Sequence, residues 1–411
     1  MSKSSKSKSK SVVVIGCFDT KGEDFGYLYS SLKVKDLEIV TLNTGIFESA
    51  TDFNIDFNSG QVAEAGGSDI LELRKSADRG RALKIMAKGA AKIVKRLCAH
   101  RKVDGIIGMG GGGGTYMVIT AMQAVPFGIP KLCLSTLATK DLSEVIKDRD
   151  IVLMPSVVDV NGLNAISRIL IRQAAGAICG MMDTSITEEN ENSGTIAISV
   201  FGNTTLCADY CTELLKTKNY DVLSFHAVGT GGKTMESLAL DGCFDAILDL
   251  TTTELADDLC GGICSAGPNR LEAAAKMGIP QVVVPGCLDM VNFGALETVP
   301  KKYRQRHLFS WAPDVTLMRT NAAENELLGE TFAEKLNRSS GPVIVLLPLE
   351  GISKISSEGG DFHSPDIDAV LFRSIKENLT DSIRVIEVQA NINTVDFAEQ
   401  AIKSLLELLE N

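Results

Sequence analysis

The chain has 411 residues, 45% of them apolar and 23% charged, which predicts two or three domains with sizeable cores. Its 41 basic and 52 acidic residues give a net charge of −11, which argues against a general nucleic-acid-binding protein because such proteins need a basic face to neutralise phosphates. No apolar stretch approaches the roughly 20 residues that span a bilayer, and the first ten residues lack the apolar core of a secretory signal. With ten cysteines, we therefore expect a cytoplasmic protein with reduced thiols and no membrane partner.

The chain begins with a Ser/Lys segment, residues 1–10, that has almost nothing to bury and predicts a disordered tail. Residues 11–182 alternate apolar strands with helices, which predicts a first α/β domain. Its strands are expected at Ser11–Ile15, Leu37–Leu42, Val103–Ile107, Lys131–Ser135 and Ile151–Val158, and its clearest helices at Ser76–Cys98 and Gly162–Met182. Uniformly apolar strands of this kind favour a parallel sheet covered by helices on both faces.

An acidic, polar segment at residues 183–194 is predicted to be a linker, and the alternation restarts after it. Residues 195–411 therefore predict a second α/β domain. Its strands are expected at Thr195–Val200, Val222–Phe225, Ala246–Leu250, Gln281–Val284, Val343–Leu347 and Ile383–Val388. We predict two α/β domains with mainly parallel sheets covered by helices.

The strongest local signal is the glycine-rich run Gly108–Thr115, which follows one predicted strand directly and precedes a helix. Consecutive glycines let backbone N–H groups approach an anion, and the helix N-terminus adds partial positive charge. We expect several of these glycines to adopt positive φ. A flexible linker is the alternative, and no acidic residue follows at the spacing of a Rossmann fingerprint. The predicted phosphate-binding residues are Gly110, Gly111, Gly112, Gly113, Gly114 and Thr115.

Polar side chains also follow three other strands of the first domain. Because ligands bind at the carboxyl ends of parallel strands, these side chains could face the same crevice as the glycines. Asp19 and Asp159 are candidate ligands of a metal ion, and Lys21 is a candidate partner of a phosphate. The remaining candidates for the cofactor site are Thr20, Ser135 and Thr136. The alternative role for each of these residues is to cap a helix.

In the second domain, Ala227–Thr234 fits a relaxed P-loop pattern in which Ala replaces the first Gly. Because the short pattern often arises by chance, we predict a second anion-binding turn rather than a true P-loop. His226, Glu236 and Glu254 lie at or just beyond strand ends and are the candidate catalytic residues for acid/base chemistry. The alternative is that they are caps and surface groups. Two cysteine pairs at i,i+4 spacing, Cys207/Cys211 and Cys260/Cys264, are expected to be buried apolar side chains rather than zinc ligands.

Taken together, these motifs resemble the Tm-1-like ATP-binding proteins, the uncharacterised UPF0261 family. The matching blocks occur in the same order through nearly the whole chain. They are Asp19–Lys21, Gly105–Thr115, Gly128–Thr136, Met154–Asn164, Phe225–Leu238, Leu248–Asp257, Leu288–Gly294, Leu317–Thr320 and Ala333–Asn337.

The resemblance implies two Rossmann-like subdomains, a homodimer, and ATP with Mg²⁺ held by the glycine-rich segment of the first. It also implies a protein partner, since plant members bind a viral replication protein. The resemblance therefore implies an ATP/Mg²⁺-binding protein that could act as a nucleotide-regulated binding module. The alternative is an enzyme acting on a small carboxylate or phosphate ester through residues of the second domain.

Overall fold

The computed structural model describes residues 9–49, 51–100, 102–184 and 192–410 and divides the chain into two units, Met1–Thr187 and Glu188–Asn411. Residues 1–8 of the predicted tail and 185–191 of the predicted linker lie outside the described residues. Lys10 does not belong to a free tail. Its Nζ donates to the Met182 carbonyl at 2.6 Å and pairs with Asp183 at 2.9 Å.

The first unit is built on a five-stranded, entirely parallel sheet with the order β2-β1-β3-β4-β5. Its strands are β1 (Ser11–Gly16), β2 (Glu38–Asn43), β3 (Gly105–Gly110), β4 (Lys131–Ser135) and β5 (Ile151–Pro155). Its helices are α1 (Phe18–Lys33), α2 (Ser59–Gly66), α3 (Ile70–Ser76), α4 (Arg79–Ala99), α5 (Gly112–Met122), α6 (Ser143–Ile146) and α7 (Ala165–Asp183). The order reverses between β1 and β3, and in a doubly wound sheet the ligand crevice lies at that switch point.

The continuous apolar run of β1 is explained by burial on both faces of the sheet. Val13 and Ile15 belong to one buried cluster, and Val12 and Val14 belong to a second one on the opposite face, as expected from the two-residue period of a strand. The predicted parallel sheet is thereby confirmed. The helix predicted from Ser76 begins later, at Arg79, because the Asp78 side chain caps it by accepting from the backbone N–H of Arg81.

The second unit contains a six-stranded parallel sheet with the order β14-β13-β9-β8-β6-β7. The strands of the unit are β6 (Thr195–Val200), β7 (Asp221–His226), β8 (Ala246–Asp249), β9 (Gln281–Val283), β10 (Met290–Phe293), β11 (Leu308–Ala312), β12 (Val315–Arg319), β13 (Val343–Pro348) and β14 (Arg384–Val388). Its helices are α8 (Thr205–Thr217), α9 (Thr230–Leu240), α10 (Thr253–Cys260), α11 (Ala273–Met277), α12 (Ala322–Leu336), α13 (Pro365–Asn378) and α14 (Val395–Leu409). Counted along the chain, the parallel strands repeat the order of the first unit and add one strand.

A three-stranded antiparallel sheet, β10-β12-β11, is inserted between β9 and β13. The sequence analysis did not predict it, because β10 has only four residues and coincides with the polar motif at Leu288–Gly294. The expected burial of both cysteine pairs is confirmed. Within the described residues, no helix combines the length and the apolar character that crossing a membrane requires.

A glycine controls the packing of α2 against α4. A Cβ at Gly89 would lie 1.9 Å from the Val62 carbonyl oxygen, so even a methyl group forces the helices apart.

We expect Gly89→Ala to lower the free energy of unfolding by about 1–3 kcal/mol or more, the usual cost of overpacking. In the control Gly176→Ala, on α7, the new methyl group meets nothing within 4 Å, and a gain of about 0.4–1 kcal/mol is expected. Urea denaturation measures both changes, and equal stabilities would contradict this packing.

Candidate functional site

A cavity of the first unit has a volume of about 770 Å³ and lies at the carboxyl ends of β1 and β3. This is the switch point of the sheet, where doubly wound folds bind their ligands. The cavity is lined by residues that follow β1 and β2, by α3 and α4, and by the start of α5. They include Cys17, Asp19, Thr20, Lys21, Phe47, Leu73, Arg74, Arg79, Leu83, Met86, Gly110, Gly111, Gly112, Gly113, Gly114 and Met117.

The glycine-rich segment is not the loop that the sequence predicted. Gly110 ends β3, Gly111 is the N-cap of α5, and Gly112–Gly114 form the first turn of that helix. None of these five glycines lies in the left-handed region, so the expectation of positive φ was wrong. The first N–H groups of a helix have no partner within the helix. The turn therefore presents backbone donors and partial positive charge toward the cavity.

Protein packing does not explain why glycine stands at two of these positions. A Cβ at Gly112 would meet nothing within 4 Å, and one at Gly111 would meet only Thr136 Oγ1, at an ordinary 3.7 Å. By contrast, a Cβ at Gly110 would lie 2.9 Å from the Cα of Gly114. The bare backbone at Gly111 and Gly112 thus leaves space that the chain itself does not use.

Three basic side chains line the cavity. Arg74 Nε donates to the carbonyl oxygen of Ile46, which fixes the guanidinium against the loop after β2. Within the described residues, no hydrogen bond or ion pair engages the side chains of Lys21 and Arg79. An Arg79 nitrogen lies 3.6 Å from the position of a Cβ at Gly113, next to the first turn of α5. The cavity therefore combines uncommitted cations with the N-terminus of a helix.

Asp19 lines the same cavity but already has partners. Its carboxylate accepts from the backbone N–H groups of Thr20, at 2.8 Å, and Phe47, at 3.0 Å. Gly45 packs directly on this carboxylate, since a Cβ there would lie 2.2 Å from Asp19 Oδ1. Asp19 thus anchors the loop after β2 that forms one wall of the cavity.

Burial disfavours the thiolate form of the nearby Cys17. Burial raises the pKa of Cys17 to about 11, despite a contact of 3.6 Å with the Thr44 hydroxyl. The reactive form of cysteine is the thiolate, and the raised pKa keeps this side chain protonated near neutral pH. The cavity is therefore suited to binding rather than to covalent chemistry at Cys17.

The other predicted residues of the first unit do not share this cavity. Thr115 and Ser135 lie beneath the turn, with their hydroxyl oxygens 2.6 Å apart, and brace β3 and α5 against β4. Thr136 and Asp159 line a separate groove of about 470 Å³ at the ends of β4 and β5. Asp19 and Asp159 therefore line different cavities. Among the described residues, no group of three or more His, Cys, Asp or Glu side chains is arranged to hold a metal ion.

In the second unit, a fully buried arginine organises three carboxylates. Arg270 makes a bidentate pair with Asp249, at 2.6 and 2.7 Å, and a third short bond from Nε to Glu254 at 2.6 Å. Its contact with Glu236 is longer, 3.3 Å. Burial lowers the pKa of Arg270, but the charges of Asp249 and Glu254 outweigh burial and raise this pKa above its ordinary value. Arg270 was not predicted from the sequence, because it lies in a loop without a recognisable motif.

The glycine-rich turn of the second unit is already filled by Glu254. Glu254 Oε1 accepts from the backbone N–H groups of Gly229, at 2.7 Å, and Gly232, at 3.1 Å. A Cβ at Gly232 would lie 2.0 Å from the same carboxylate. The turn does bind an anion, as the sequence suggested, but the anion is an internal side chain. This occupancy leaves no room for the phosphates of a P-loop ligand, and the side chain of Lys233 is exposed.

The candidate catalytic residues are only partly brought together. Glu236 and Glu254 meet at Arg270, and Glu236 also accepts from backbone N–H groups at the start of α11, including that of Ala273 at 2.7 Å. Burial raises the pKa of Glu236, while the charge of Arg270 opposes this rise. His226 is exposed, and its ring lies 5.6 Å from that of Phe201. In the described structure, no hydrogen bond or ion pair connects the His226 ring to either glutamate.

Asp289 is a buried carboxylate that makes the second unit sensitive to pH. Its Oδ2 accepts from Ser353 Oγ at 2.8 Å, and its Oδ1 has no partner among the described residues. Burial raises its pKa to about 7, although the charge of Arg319 opposes the rise and that of Asp368 adds to it. Between pH 4 and 7, the folded chain therefore retains a proton that an unfolded aspartate, with a pKa of about 3.9, has lost.

This difference predicts that stability falls as the pH rises through 7. The slope due to one such group is at most about 1.4 kcal/mol per pH unit, and its stabilising contribution is fully present below the unfolded pKa and is lost as the pH rises toward 7. We expect Asp289→Asn to flatten the profile of unfolding free energy between pH 5 and 8. Urea denaturation at each pH measures it, with the exposed Asp314→Asn as control. A profile unchanged by Asp289→Asn would contradict the raised pKa.

Comparison with known proteins identifies the family. The N-terminal domain of the uncharacterised protein family UPF0261 matches residues 10–187, and its C-terminal domain matches residues 193–409. A UPF0261 protein of Clostridium tetani is 42% identical over 98% of this chain and 100% of its own length. The tomato (Solanum lycopersicum) ToMV resistance protein Tm-1(GCR237) and the susceptible protein tm-1(GCR26) are each 34% identical over 98% of this chain, which spans 56% of their length. The chain therefore belongs to the UPF0261 family.

Proposed function

We propose that the first unit binds ATP with Mg²⁺ in the cavity at the ends of β1 and β3. The proposal is carried by one observation. The side chains of Lys21 and Arg79, which have no hydrogen bond or ion pair among the described residues, line the same cavity as the glycines of the first turn of α5. Basic side chains and helix N-termini are the groups that proteins use to bind phosphate. The volume of about 770 Å³ lies within the range of about 300–1,000 Å³ that is usual for small-molecule sites.

The rest of the cavity supports a nucleotide rather than free phosphate. Leu73, Leu83, Met86 and Met117 give it an apolar wall, which suits the flat, apolar faces of a base. Mg²⁺ in nucleotide sites is usually held by the phosphates with one or two carboxylates. Asp19 is the carboxylate that lines this cavity. Because an ionised carboxylate has about four acceptor positions and Asp19 uses two, it retains capacity to bind the ion or its water.

The alternative of an enzyme using His226, Glu236 and Glu254 has weaker support. Both glutamates are engaged by Arg270 and by backbone N–H groups, so neither is free to exchange a proton with a substrate. The homodimer and the protein partner rest on the family likeness alone, and the cytoplasmic location rests on the composition of the chain. The tomato resistance and susceptible proteins match this chain with the same identity, so the likeness does not favour an antiviral role.

Substitution of Gly111 tests the site directly. Because its φ is −83° and a Cβ there meets no atom closer than 3.7 Å, Gly111→Ala should fold normally. The added methyl group lies where phosphate oxygens would approach the backbone. We therefore expect the affinity for MgATP, measured by calorimetric titration, to fall at least tenfold, about 1.4 kcal/mol.

Lys233→Ala provides the control for this experiment. Because Glu254 fills the second glycine turn, the affinity of this variant for MgATP should stay within about threefold of the parent. Loss of binding in Lys233→Ala with retention in Gly111→Ala would transfer the nucleotide site to the second unit.

The number of phosphates gives a further prediction. ATP offers three phosphates to Lys21, Arg79 and the start of α5, whereas AMP offers only one. At equal concentration and with Mg²⁺ present, ATP should therefore raise the melting temperature more than AMP does, because a tighter ligand of the folded state stabilises it more. Equal shifts for ATP and AMP would contradict a polyphosphate site.

A further inference from the structure

A second groove of the first unit adjoins the proposed nucleotide cavity. It has a volume of about 470 Å³ and lies at the carboxyl ends of β4 and β5. Its polar lining consists of hydroxyl groups and one carboxylate, from Ser135, Thr136, Thr139, Ser156 and Asp159. Among the described residues, none of the side chains that line the groove is basic, in contrast to the cavity beside it.

Some polar side chains of this groove have hydrogen-bond partners among the described residues, and others do not. Ser135 Oγ is bonded to Thr115, and Ser156 Oγ donates to the Val158 carbonyl at 2.7 Å. Within the part of the chain that the structure describes, the side-chain oxygens of Thr136, Thr139 and Asp159 make no hydrogen bond or ion pair. Two hydroxyl groups that can donate or accept, beside a carboxylate that accepts, match the hydroxyl groups of a neutral ligand. An anionic ligand would meet the Asp159 charge without a compensating cation.

The backbone at Gly111 lies between the nucleotide cavity and the groove. Gly111 lines the nucleotide cavity, whereas Thr136, which lines the groove, has its hydroxyl oxygen 3.7 Å from the position of a Gly111 Cβ. No side chain at Gly111 separates them. The loop on the far side of the groove holds Val157 at a φ of +59°, a strained conformation for a β-branched residue. Strain of this kind is concentrated at functional sites.

We propose that this groove binds a neutral, polyhydroxylated molecule as the acceptor of a phosphoryl group from the nucleotide. The proposal rests on the proposed function. An acceptor hydroxyl oxygen forms a bond to the γ-phosphorus, the bond from that phosphorus to the bridging oxygen breaks, and ADP leaves. Asp159 accepts the proton of the hydroxyl group and releases it to water. The products are ADP, the phosphate monoester of the acceptor and one proton.

The experiment uses the full chain with MgATP and three sets of probes at 5 mM. The first set contains the neutral polyols erythritol, xylitol, ribose and myo-inositol. The second set contains the anions erythronate and gluconate, and the third contains the amines ethanolamine and putrescine. Melting temperature reports binding, and coupled detection of ADP reports transfer. We expect at least one neutral probe to raise the melting temperature and to accelerate ADP formation, with no effect from the other two sets.

Variants separate binding from proton transfer. Thr139→Val should weaken binding of the active polyol about tenfold by removing a hydroxyl group. Asp159→Asn should lower polyol-dependent ADP formation at least about 100-fold, the usual contribution of a general base, while the polyol still shifts the melting temperature. The control Asp36→Asn changes an exposed aspartate at a φ of +55°, which asparagine tolerates well, and should leave both readouts unchanged.

Calorimetric titration of MgATP on the same preparations distinguishes the two proposals. If MgATP does not bind, the proposed function fails, and the acceptor groove fails with it. If MgATP binds but no neutral polyol has an effect, or if only an anion or an amine does, the acceptor groove alone is refuted. Full polyol-dependent activity in Asp159→Asn would likewise refute it.

Discussion

The backbone N–H groups that a parallel sheet leaves exposed at its carboxyl edge need hydrogen-bond acceptors. The two units supply these acceptors differently. In both sheets, the third strand along the chain lies at the point where the strand order reverses. In the first unit this strand is followed by glycines, and in the second by Thr251, Thr252, Thr253 and Glu254, all fully buried. Side chains therefore fill in the second unit the space that glycines leave open in the first. The open unit is the one suited to an external ligand.

The closure of the second unit depends on a balance of buried charges. Arg270 is shared by Asp249, Glu254 and Glu236, and the remaining acceptor positions are used by backbone N–H groups and by the hydroxyl of Ser199. Buried ions are tolerated only when their hydrogen-bonding positions are satisfied, and removal of one partner typically costs about 3–5 kcal/mol. The network links the loop after β8 to the start of α11. It consequently fixes the edge of the sheet.

The strands were predicted well because burial on both faces of a sheet produces continuous apolar runs in the sequence. The bounds of Lys131–Ser135 and Thr195–Val200 match the structure, and both strands are apolar throughout their centres. The glycine segment was singled out because of its exposed backbone, and the structure leaves that backbone open at Gly111 and Gly112, but the conformation of the segment was not predicted. Glycine permits helical and left-handed conformations alike, so a glycine run does not reveal where a helix begins.

The residues that sequence reasoning missed share a physical cause. Arg79 and Arg270 act through neighbours that are distant along the chain. Arg79 adjoins the start of α5, more than 30 residues away, and Arg270 contacts Asp249 from the other side of α10. Neither arginine forms a local motif, because the order of the strands in the sheet, and not the spacing along the chain, brings each arginine to its partners. Thr136 was a candidate from the sequence, but its closeness to Gly111 likewise follows from the pairing of β3 with β4.

The net charge of −11 is compatible with binding a polyanion, since fields from distant charges do not reach the cavity. At physiological ionic strength, interactions between exposed charges fade over about 8 Å. What a phosphate experiences is set by the groups that line the cavity, namely Lys21, Arg74, Arg79 and the start of α5. Of the two aspartates there, Asp19 accepts from backbone N–H groups and Asp78 caps α4, so backbone dipoles partly offset both charges. The net charge argues against an extended basic face for nucleic acid, whereas the cavity, at about 770 Å³, is a local site that is large enough for one nucleotide.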